Sequence, residues 1–254
     1  MSAADPTLVD WFAALEERHL GALRFAEVRR GVQALSTWYV QRRAQAAGAR
    51  VFDGAGKRAA FALFYGPLHY AATREIVLAL GAADPPPVRI LDLGCGTGAA
   101  GAAWAVAAGR RPVLRGVDCQ PWAVAEAEWS WSRLGLAGRA RQGRVERERM
   151  PRRGGAVLLA YTANELDPPA RAALLPRLLA AAAAGSRVLV IEPIAAEVAP
   201  WWPDWEATFE RHRGRSDRWR SSALLPERLR LLDRAAGLDH RELTARSLYL
   251  DGRT

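Results

Sequence analysis

The strongest chemical signal in the chain is a glycine-rich turn that directly follows a short apolar run. The segment reads ILDLGCGTG, from Ile90 to Gly98. Glycine lets a backbone pass close to a ligand, and the free amides at the start of a helix attract an anionic group. The turn therefore predicts a site for either the pyrophosphate of a dinucleotide or the amino-acid end of S-adenosylmethionine. The predicted contacts are Asp92, Gly94, Cys95, Gly96 and Gly98.

An acid inside the apolar run helps to choose between these two ligands. Asp92 lies two residues before Gly94, where its carboxylate can hold a positively charged ammonium group directly or through water. A pyrophosphate would be repelled there. The glycine spacing does not decide, because Gly96, Gly98 and Gly101 also satisfy the dinucleotide pattern G-x-G-x-x-G. The structural alternative is that Asp92 caps the turn and that the glycines only form a tight junction between strand and helix.

A second acid lies at the sequence spacing expected for a ribose contact. Asp118 ends the segment PVLRGVD, 20 residues after Gly98. An acid at this spacing, at the tip of the next strand, can accept hydrogen bonds from both ribose hydroxyls. The alternative is that Asp118 caps a helix beginning near Pro121. Cys119 follows it into the same predicted pocket, and Trp122 can pack on an adenine, although such a tryptophan is more often core.

The elements that must position these residues fall into two regions. The first is helical: its second helix runs from about Leu20 to Ala47 with Gly31 as a weak point, and Pro67 should kink or divide the third stretch. The prolines of AADPPP then end any helix and form a hinge. We predict that this region, residues 1–84, is a substrate lid or an RNA contact.

After the hinge, strands alternate with helices. The predicted strands are VRILDLG, PVLRGVD, a weak one near ARQG, AVLLAYT and SRVLVIEP, and a final extended stretch reads HRELTARSLYL. This alternation predicts a mostly parallel sheet with helices on both faces and with ligands at the carboxyl ends of the strands. The predicted fold class is therefore α/β and Rossmann-like, over residues 85–254.

The segments LDLGCGTG and GVD together resemble motifs of the class I S-adenosylmethionine-dependent methyltransferases. The resemblance covers about Val88 to Leu250 and implies S-adenosylmethionine as cofactor. More narrowly, ALSTWYVQRR, AAFALFYGPLHYAATREIV and AYTANELDPPARAALLPRLL leading to VLVIEP are similar to the methyltransferase-like proteins of mitochondrial small-ribosomal-subunit assembly and their bacterial relatives. That resemblance implies a helical region before the Rossmann-like domain, and small-subunit ribosomal RNA as partner.

The chain departs from these relatives at two places. The mitochondrial proteins carry clustered cysteines that bind an iron–sulfur cluster, whereas no cysteine follows Glu192-Pro193 here, so that cofactor is not implied. Methyltransferases commonly place an acid after the third strand to meet the adenine amino group, but the matching residues are Gln142, Gly143 and Arg144. The amide of Gln142 can hydrogen-bond adenine, and the alternative is a residue of a surface turn.

The tip of the fourth predicted strand, Tyr161 to Leu166, faces the transferred methyl group in class I methyltransferases. Methyl transfer is an in-line displacement that needs alignment and a polar clamp or proton acceptor for the nucleophile. We predict that Asn164 and Glu165 are the catalytic clamp and that the ring of Tyr161 shields the sulfonium. The alternative is that both polar side chains satisfy backbone groups of the turn while Asp167 caps the next helix.

Other chemistries lack the residues that they need. Cytosine C5 methylation needs a cysteine near the tips of strands four and five, but Cys95 and Cys119 lie in the glycine loop and after Asp118. Two cysteines cannot form a disulfide framework or a four-ligand zinc site, and the four histidines show no metal spacing, so no metal is predicted. His69 is expected to lie on a helix that packs over the domain.

The chain has a net charge of +9, with 36 basic and 27 acidic residues. Lys57 is the only lysine, so the basic excess is arginine, which codon bias explains as well as a polyanionic partner does. Arginine is dense in two segments, Arg139–Arg153 and Arg211–Arg220, and tryptophans flank the second. Basic residues among aromatic ones suit RNA phosphates and bases, and the alternative is a solvated surface.

The opening segment MSAADPTLVDWFAALEERHL carries acids where a secretory signal has a basic stretch and an apolar run. No uncharged apolar run reaches ~18 residues, so we predict no membrane span and a cytoplasmic setting. The predicted function is an S-adenosylmethionine-dependent methyltransferase acting on RNA in or near the small ribosomal subunit. A non-catalytic RNA-binding assembly factor and a small-molecule methyltransferase are the alternatives.

Overall fold

The computed structural model describes residues 4–41, 52–195 and 199–252. The N-terminal helices are α1 (Pro6–Leu20), α2 (Phe25–Gln41), α3 (Ala55–Ala60) and α4 (Gly66–Ala79), with a π-helical turn, Phe61–Tyr65, between the last two. The predicted helical N-terminal region is therefore confirmed for the described residues. The predicted extension of the second helix to Ala47 lies outside them.

The rest of the chain builds one seven-stranded sheet. Its strands are β1 (Arg89–Leu93), β2 (Val113–Asp118), β3 (Gly138–Gln142), β4 (Ala156–Ala160), β5 (Arg187–Glu192), β6 (Arg215–Ser222) and β7 (Glu242–Leu250). Their spatial order is β3-β2-β1-β4-β5-β7-β6. The first five are parallel, and β7 pairs antiparallel with β5 and with β6. The predicted Rossmann-like, mostly parallel sheet is confirmed.

Helices connect the strands and cover both faces of the sheet. They are α5 (Ala99–Ala107), α6 (Pro121–Arg133), α7 (Pro168–Ala183), α8 (Trp202–Arg211) and α9 (Glu227–Ala235). Proline stands in the first turn of α6 and α7, where its missing amide donor leaves no hydrogen bond unmade. Asp167 accepts a hydrogen bond from the amide of Ala170 at 2.7 Å, so its predicted capping of α7 is confirmed.

Two residues that the sequence marks as possible helix breakers, Gly31 and Pro67, lie within helical segments of the structure. α2 runs continuously through Gly31, so this glycine is not the weak point that the sequence suggests. A Cβ atom at Gly31 would lie 2.4 Å from the carbonyl oxygen of Gly56, because α2 and α3 approach each other closely there. The helical backbone is continuous from Ala55 to Ala79, so Pro67 does not divide the third stretch. It occupies the first turn of α4, after the π-helical turn Phe61–Tyr65.

Apolar side chains are buried on both faces of the sheet. On one face, Trp11 of α1 belongs to the same core as Trp104 of α5 and Trp131 of α6. On the other face, Leu174 of α7 and Phe209 of α8 pack against the strands. The predicted regions 1–84 and 85–254 therefore share one of the two cores.

The sequence reading misses β6, because its residues, RSDRWRSS, are polar and alternate only weakly. This strand places Arg215, Arg218 and Arg220 at one edge of the sheet, while β3 places Arg139 and Arg141 at the opposite edge. The other arginines of the first segment lie in the connection from β3 to β4. Trp202 and Trp205, which flank the second segment, are buried. The two arginine segments are therefore separate surfaces.

Candidate active site

The glycine loop joins β1 to α5 at the carboxyl edge of the sheet. Gly94 and Gly96 have φ angles of 72° and 51°, a region that glycine adopts without strain. A Cβ atom at Gly94 would lie 2.3 Å from Cγ2 of Thr162, so glycine lets the loop pass the tip of β4. At Gly96 the nearest atoms belong to the ring of Phe61, 3.5 Å away. The loop is therefore packed on one side and open on the other.

A pocket of about 450 Å³ opens beside this loop. The predicted cofactor contacts that line it are Asp92, Gly94, Cys95, Gly96, Asp118, Cys119 and Tyr161. Its wall also includes Gly143, Arg144 and Val145 after β3, and the rings of Phe61 and Trp122. Because the parallel strands end at one edge of the sheet, segments that are distant in the chain meet here.

Two predicted contacts, Gly98 and Gln142, are not among the residues that line the pocket. The carbonyl of Gly98 accepts a hydrogen bond from Nε1 of Trp131 at 2.8 Å, and a Cβ atom at Gly98 would lie 2.6 Å from that nitrogen. Gly98 therefore serves the packing of α5 on α6. The side-chain amide of Gln142 donates to the carbonyl of Cys119 at 3.2 Å, which places it against the loop after β2.

Asp118 binds a backbone amide with each carboxylate oxygen. Oδ2 accepts from Gly96 at 2.9 Å, and Oδ1 accepts from Gln120 at 2.8 Å. Burial raises the pKa of this carboxyl, although the two hydrogen bonds oppose the rise. The bond to Gln120, just before α6, fits the capping alternative. Its place on the pocket wall and the remaining lone pairs of both oxygens leave the ribose contact as a prediction.

Asp92 is fully buried beneath the loop. Its Oδ2 accepts a hydrogen bond from the amide of Gly101 at 3.0 Å. Burial raises the pKa of this carboxyl to about 7; the Gly101 amide opposes the rise, and the charge of Asp118 adds to it. A cation in the pocket would favour the charged form of Asp92, so this carboxyl can respond to a ligand near neutral pH.

A second cavity, of about 210 Å³, adjoins the pocket at the tip of β4. The residues that line both are Tyr39, Phe61, His69, Tyr161 and Glu165. The rings of His69 and Tyr161 are stacked, with centroids 3.8 Å apart and planes inclined by 11°. The two cavities therefore meet at a wall that is mainly aromatic.

Tyr161 has an unusual backbone for a residue of its size. Its φ angle is 57°, in the left-handed region where a bulky side chain is strained. Its amide donates to the carbonyl of Ile191 at 2.7 Å, which anchors the strained residue to β5. Burial, together with the charge of Glu192, raises the pKa of the phenol above its ordinary value. The phenol is therefore neutral across the physiological range.

Three hydrogen bonds hold Asn164 in place. Its backbone amide and Nδ2 donate to the carboxylate of Glu192 at 3.2 and 2.7 Å, and its Oδ1 accepts from Nε1 of Trp201 at 3.0 Å. Glu192 is fully buried at the end of β5. Asn164 lines only the second cavity, whereas Glu165 lines both. The structure thus fixes the orientation of Asn164, and the catalytic clamp of Asn164 and Glu165 stays a prediction.

Sequence reasoning missed two residues of this site. His69 was expected only to pack over the domain, but it stacks on Tyr161 and lines both cavities. Its signal is the four-residue spacing of Phe61, Tyr65 and His69, which puts three rings on one side of consecutive helical turns. Glu192 ends the fifth strand in VLVIEP, a position equivalent to that of Asp118 on the second strand.

Both cysteines line the larger pocket, and neither lines the second cavity. Burial raises the pKa of both thiols, Cys95 and Cys119, which lowers their reactivity. Within the described ranges, no three histidine, cysteine or acidic side chains are grouped closely enough to hold a metal ion. None of the helices in those ranges has the length and apolar character needed to cross a bilayer.

Solved methyltransferase structures have a similar fold. The methyltransferase domain of bacterial CtHen1-CN matches 72% of this chain and 99% of its own, with a TM-score of 0.50 and 12% identity. A SAM-dependent methyltransferase from Aquifex aeolicus matches over 69% and 87%, with a TM-score of 0.47 and 16% identity. One from Geobacter sulfurreducens, in complex with S-adenosyl-L-homocysteine, matches over 69% and 89%, with a TM-score of 0.43 and 18% identity.

No protein-family model and no curated protein matches the sequence. At these identities the similarity defines the fold, which is the Rossmann-like fold of class I methyltransferases.

Proposed function

We propose that this protein is an S-adenosylmethionine-dependent methyltransferase. The observation that carries the proposal is the pair of adjoining cavities at the carboxyl edge of the sheet. One lies beside the glycine loop and Asp118, and the other lies at the tip of β4, with Tyr161 in the wall between them. A methyl donor in the first cavity would present its reactive group to an acceptor in the second.

The residues of the larger pocket fit this cofactor. The loop at Gly94 and Gly96 would hold the methionine end, and Asp118, which lines the same pocket, would accept hydrogen bonds from the ribose. Trp122 lines the pocket, and its Nε1 is buried without a hydrogen-bond partner among the described residues, which leaves a donor for an adenosyl group. When bound, the cofactor supplies an electrophilic methyl group on a sulfonium.

The contribution of the chain to this reaction is orientation and charge. The buried Asp92 favours a cationic ammonium group beside the loop. The neutral ring of Tyr161, backed by His69, presents an aromatic face where the two cavities meet. Glu165 borders both cavities and is the group best placed to take a proton from the acceptor, while Asn164 is held in place as the polar clamp.

We propose RNA as the methyl acceptor, and small-subunit ribosomal RNA in the cytoplasm as the specific form of this hypothesis. The rings of Phe61, Tyr65, His69 and Tyr161 line the second cavity. Such a cavity suits one planar base, and enzymes that modify bases take them out of the stack into a pocket. The net charge of +9 supports a polyanionic substrate. The narrower sequence resemblance supports the ribosomal subunit.

Two observations support the alternative functions, a small-molecule methyltransferase and a non-catalytic assembly factor. The second cavity, about 210 Å³ in size, also suits a free aromatic small molecule. The side chain of Asn164 is already engaged by Glu192 and Trp201, which favours an RNA-binding assembly factor without chemistry. The experiments below separate these three functions.

Calorimetry with S-adenosylmethionine tests the cofactor site. We expect the wild type to bind and Asp118→Asn to bind at least tenfold more weakly, because it loses a charged hydrogen-bond acceptor for the ribose, a loss of about 1.4 kcal/mol or more. Asp239→Asn is the matched control, since this aspartate is exposed and pairs with Arg241 away from the pocket. No binding by the wild type would refute both methyltransferase hypotheses.

Transfer of a tritiated methyl group to ribosomal RNA tests the reaction. We expect label in small-subunit RNA with the wild type and a large loss with Glu165→Gln. Tight RNA binding without transfer would identify an assembly factor. Cofactor binding without RNA binding would favour a small-molecule acceptor.

A further inference from the structure

The connection from β3 to β4 leaves part of the sheet uncovered. Helices α5, α6 and α7 fill the crossovers from β1 to β2, from β2 to β3 and from β4 to β5. Residues 143–155, between β3 and β4, contain only the 3-10 turn Val145–Arg147. Val145 and Met150 of this connection pack on the sheet. The outer part of the same face, over β2 and β3, is exposed to solvent, as shown by Val113, which is 48% exposed.

Arginine occupies this uncovered face. Leu114 and Gly116 of β2 are buried, so the alternating residue Arg115 points to the open side. Arg115 pairs in register with Arg139 of β3, and Arg141 is two residues further along the same strand. All three are exposed, and together with Arg89 they line a shallow groove.

The arginine face, as we name it, consists of Arg89, Arg115, Arg139 and Arg141, all of them exposed. The connection to β4 carries further exposed arginines, Arg147, Arg149, Arg152 and Arg153, which do not line the groove. Arg141 pairs with Glu148. The others form no ion pair within the described parts of the chain. The acid that lines the groove, Glu128, accepts a hydrogen bond from the amide of Ala140.

In the second arginine segment, Arg215 pairs with Asp217 and Arg220 pairs with Glu242, each at 2.7 Å. Within the described residues, Arg211, Arg213 and Arg218 form no ion pair. The arginine face brings Arg115 and Arg139 side by side on neighbouring strands, without an acid paired to either. A set of unpaired guanidinium groups on one face repels itself, which costs stability unless an anionic partner neutralises it.

We propose that the arginine face binds the phosphate backbone of RNA, an inference that rests on the RNA partner of the proposed function but not on methyl transfer. Neighbouring strands are about 4.8 Å apart and alternate residues on one strand about 6.6 Å apart, so the guanidinium groups form a grid that can follow a row of phosphates. Arginine binds phosphate with two parallel hydrogen bonds. Val88 and Val113 are the large apolar residues exposed beside the face, too few for membrane insertion.

RNA binding to a charge-matched pair of variants tests the proposal. The face variant carries Arg89→Gln, Arg115→Gln and Arg139→Gln, the three arginines of the face that form no ion pair in the part of the chain that the structure describes. The control variant carries Arg211→Gln, Arg218→Gln and Arg220→Gln, which removes the same charge at the opposite edge of the sheet. The probe is a fluorescein-labelled RNA stem–loop, titrated over a range of salt concentrations.

We expect the face variant to bind more weakly and its plot of log affinity against log salt to flatten by about 2, since each lost phosphate contact contributes about 0.7 to the slope. The control should keep the wild-type slope. Equal losses in both variants, or no loss in the face variant, would overturn the proposal. So would a loss of binding to vesicles of anionic lipid with RNA binding unchanged.

Calorimetry with S-adenosylmethionine on the same variants separates this proposal from the proposed function. Unchanged cofactor affinity shows that the face variant is folded. If the wild type binds RNA through this face but binds no cofactor, the methyltransferase assignment fails and the RNA surface stands.

Discussion

At the scale of single residues, neighbouring groups of the same type have different surroundings. Asp92 and Asp118 both line the pocket beside the glycine loop, yet Asp92 is fully buried and accepts one backbone hydrogen bond, whereas Asp118 accepts two. Gly94 is needed for the close approach of Thr162, while Gly96 opens towards the pocket. The surroundings of each residue, more than its type, decide its contribution.

The buried carboxyl of Asp92 gives a prediction for the pH dependence of stability. In the folded state its pKa is about 7, whereas an unperturbed aspartate has a pKa of 3.8. The folded protein therefore binds more protons between these values, and its free energy of unfolding falls as the pH rises from about 4 to 7. Urea denaturation of Asp92→Asn should show a smaller fall. Asp239→Asn should follow the wild type, and a fall of the same size in Asp92→Asn would contradict the assignment.

The two loop glycines should respond differently to alanine. Gly94→Ala places a Cβ atom 2.3 Å from Thr162 and should lower the free energy of unfolding by about 2–4 kcal/mol. Gly96→Ala carries only the left-handed backbone cost of about 1–2 kcal/mol. Urea denaturation measures both. Equal losses would show that the contact with Thr162 relaxes without cost.

At the scale of elements, the π-helical turn Phe61–Tyr65 shapes the second cavity. It lies between α3 and α4, and Pro67 in the first turn of α4 follows it directly. The insertion of one extra residue into a turn rotates the following helix, and here α4 presents His69 to Tyr161. Pro67, which the sequence indicates only as a break, therefore lies at the start of the helix that carries His69 of the site.

At the contact between α2 and α3, substitution of Gly31 by alanine has two opposing effects on stability. Gly31→Ala should stabilise an isolated helix by about 1 kcal/mol. In the protein the new Cβ atom would lie 2.4 Å from the carbonyl oxygen of Gly56, so we expect a net loss of about 1–3 kcal/mol on chemical denaturation. Gly54→Ala, which has no atom within 4 Å of its Cβ position, is the control. A more stable Gly31→Ala would contradict the packing.

At the scale of the whole molecule, α1 contacts α6, the helix that carries Trp122 of the pocket wall. Arg18 and His19 lie 3.0 and 2.9 Å from the carboxylate of Glu126 on α6, which is buried. Burial raises the pKa of Glu126, but hydrogen bonds and charges from His19 and Arg18 outweigh it, and the net pKa is lowered. The interaction of Glu126 with Arg18 and His19 therefore stabilises the fold above the ordinary pKa of a glutamate. This stabilisation is lost as the pH falls through the pKa of Glu126 in the folded state.

Removal of this interaction should weaken the whole fold. Glu126→Gln should lower the free energy of unfolding by about 1–3 kcal/mol at neutral pH, and the difference from the wild type should shrink in acid. Glu75→Gln is the control, because Glu75 is exposed and its nearest cation, Arg74, is 4.0 Å away. If the free energies of unfolding of Glu126→Gln and the wild type differed by the same amount at all pH values, the charge of Glu126 would not contribute to stability.

The sequence by itself determined the five parallel strands with the helices α5, α6 and α7 between them, the glycine loop and the acid at the tip of β2, because these follow from local periodicity and from turn chemistry. It did not predict β6. Only the tertiary structure decided which side chains line the site. Gly98 packs against Trp131, and Gln142 donates to the carbonyl of Cys119. His69 and Glu192 line the second cavity, and the arginines of β3 and of β6 lie at opposite edges of the sheet. The physical reason is that the direction of a side chain depends on contacts between segments far apart in the chain, and no local pattern records those contacts.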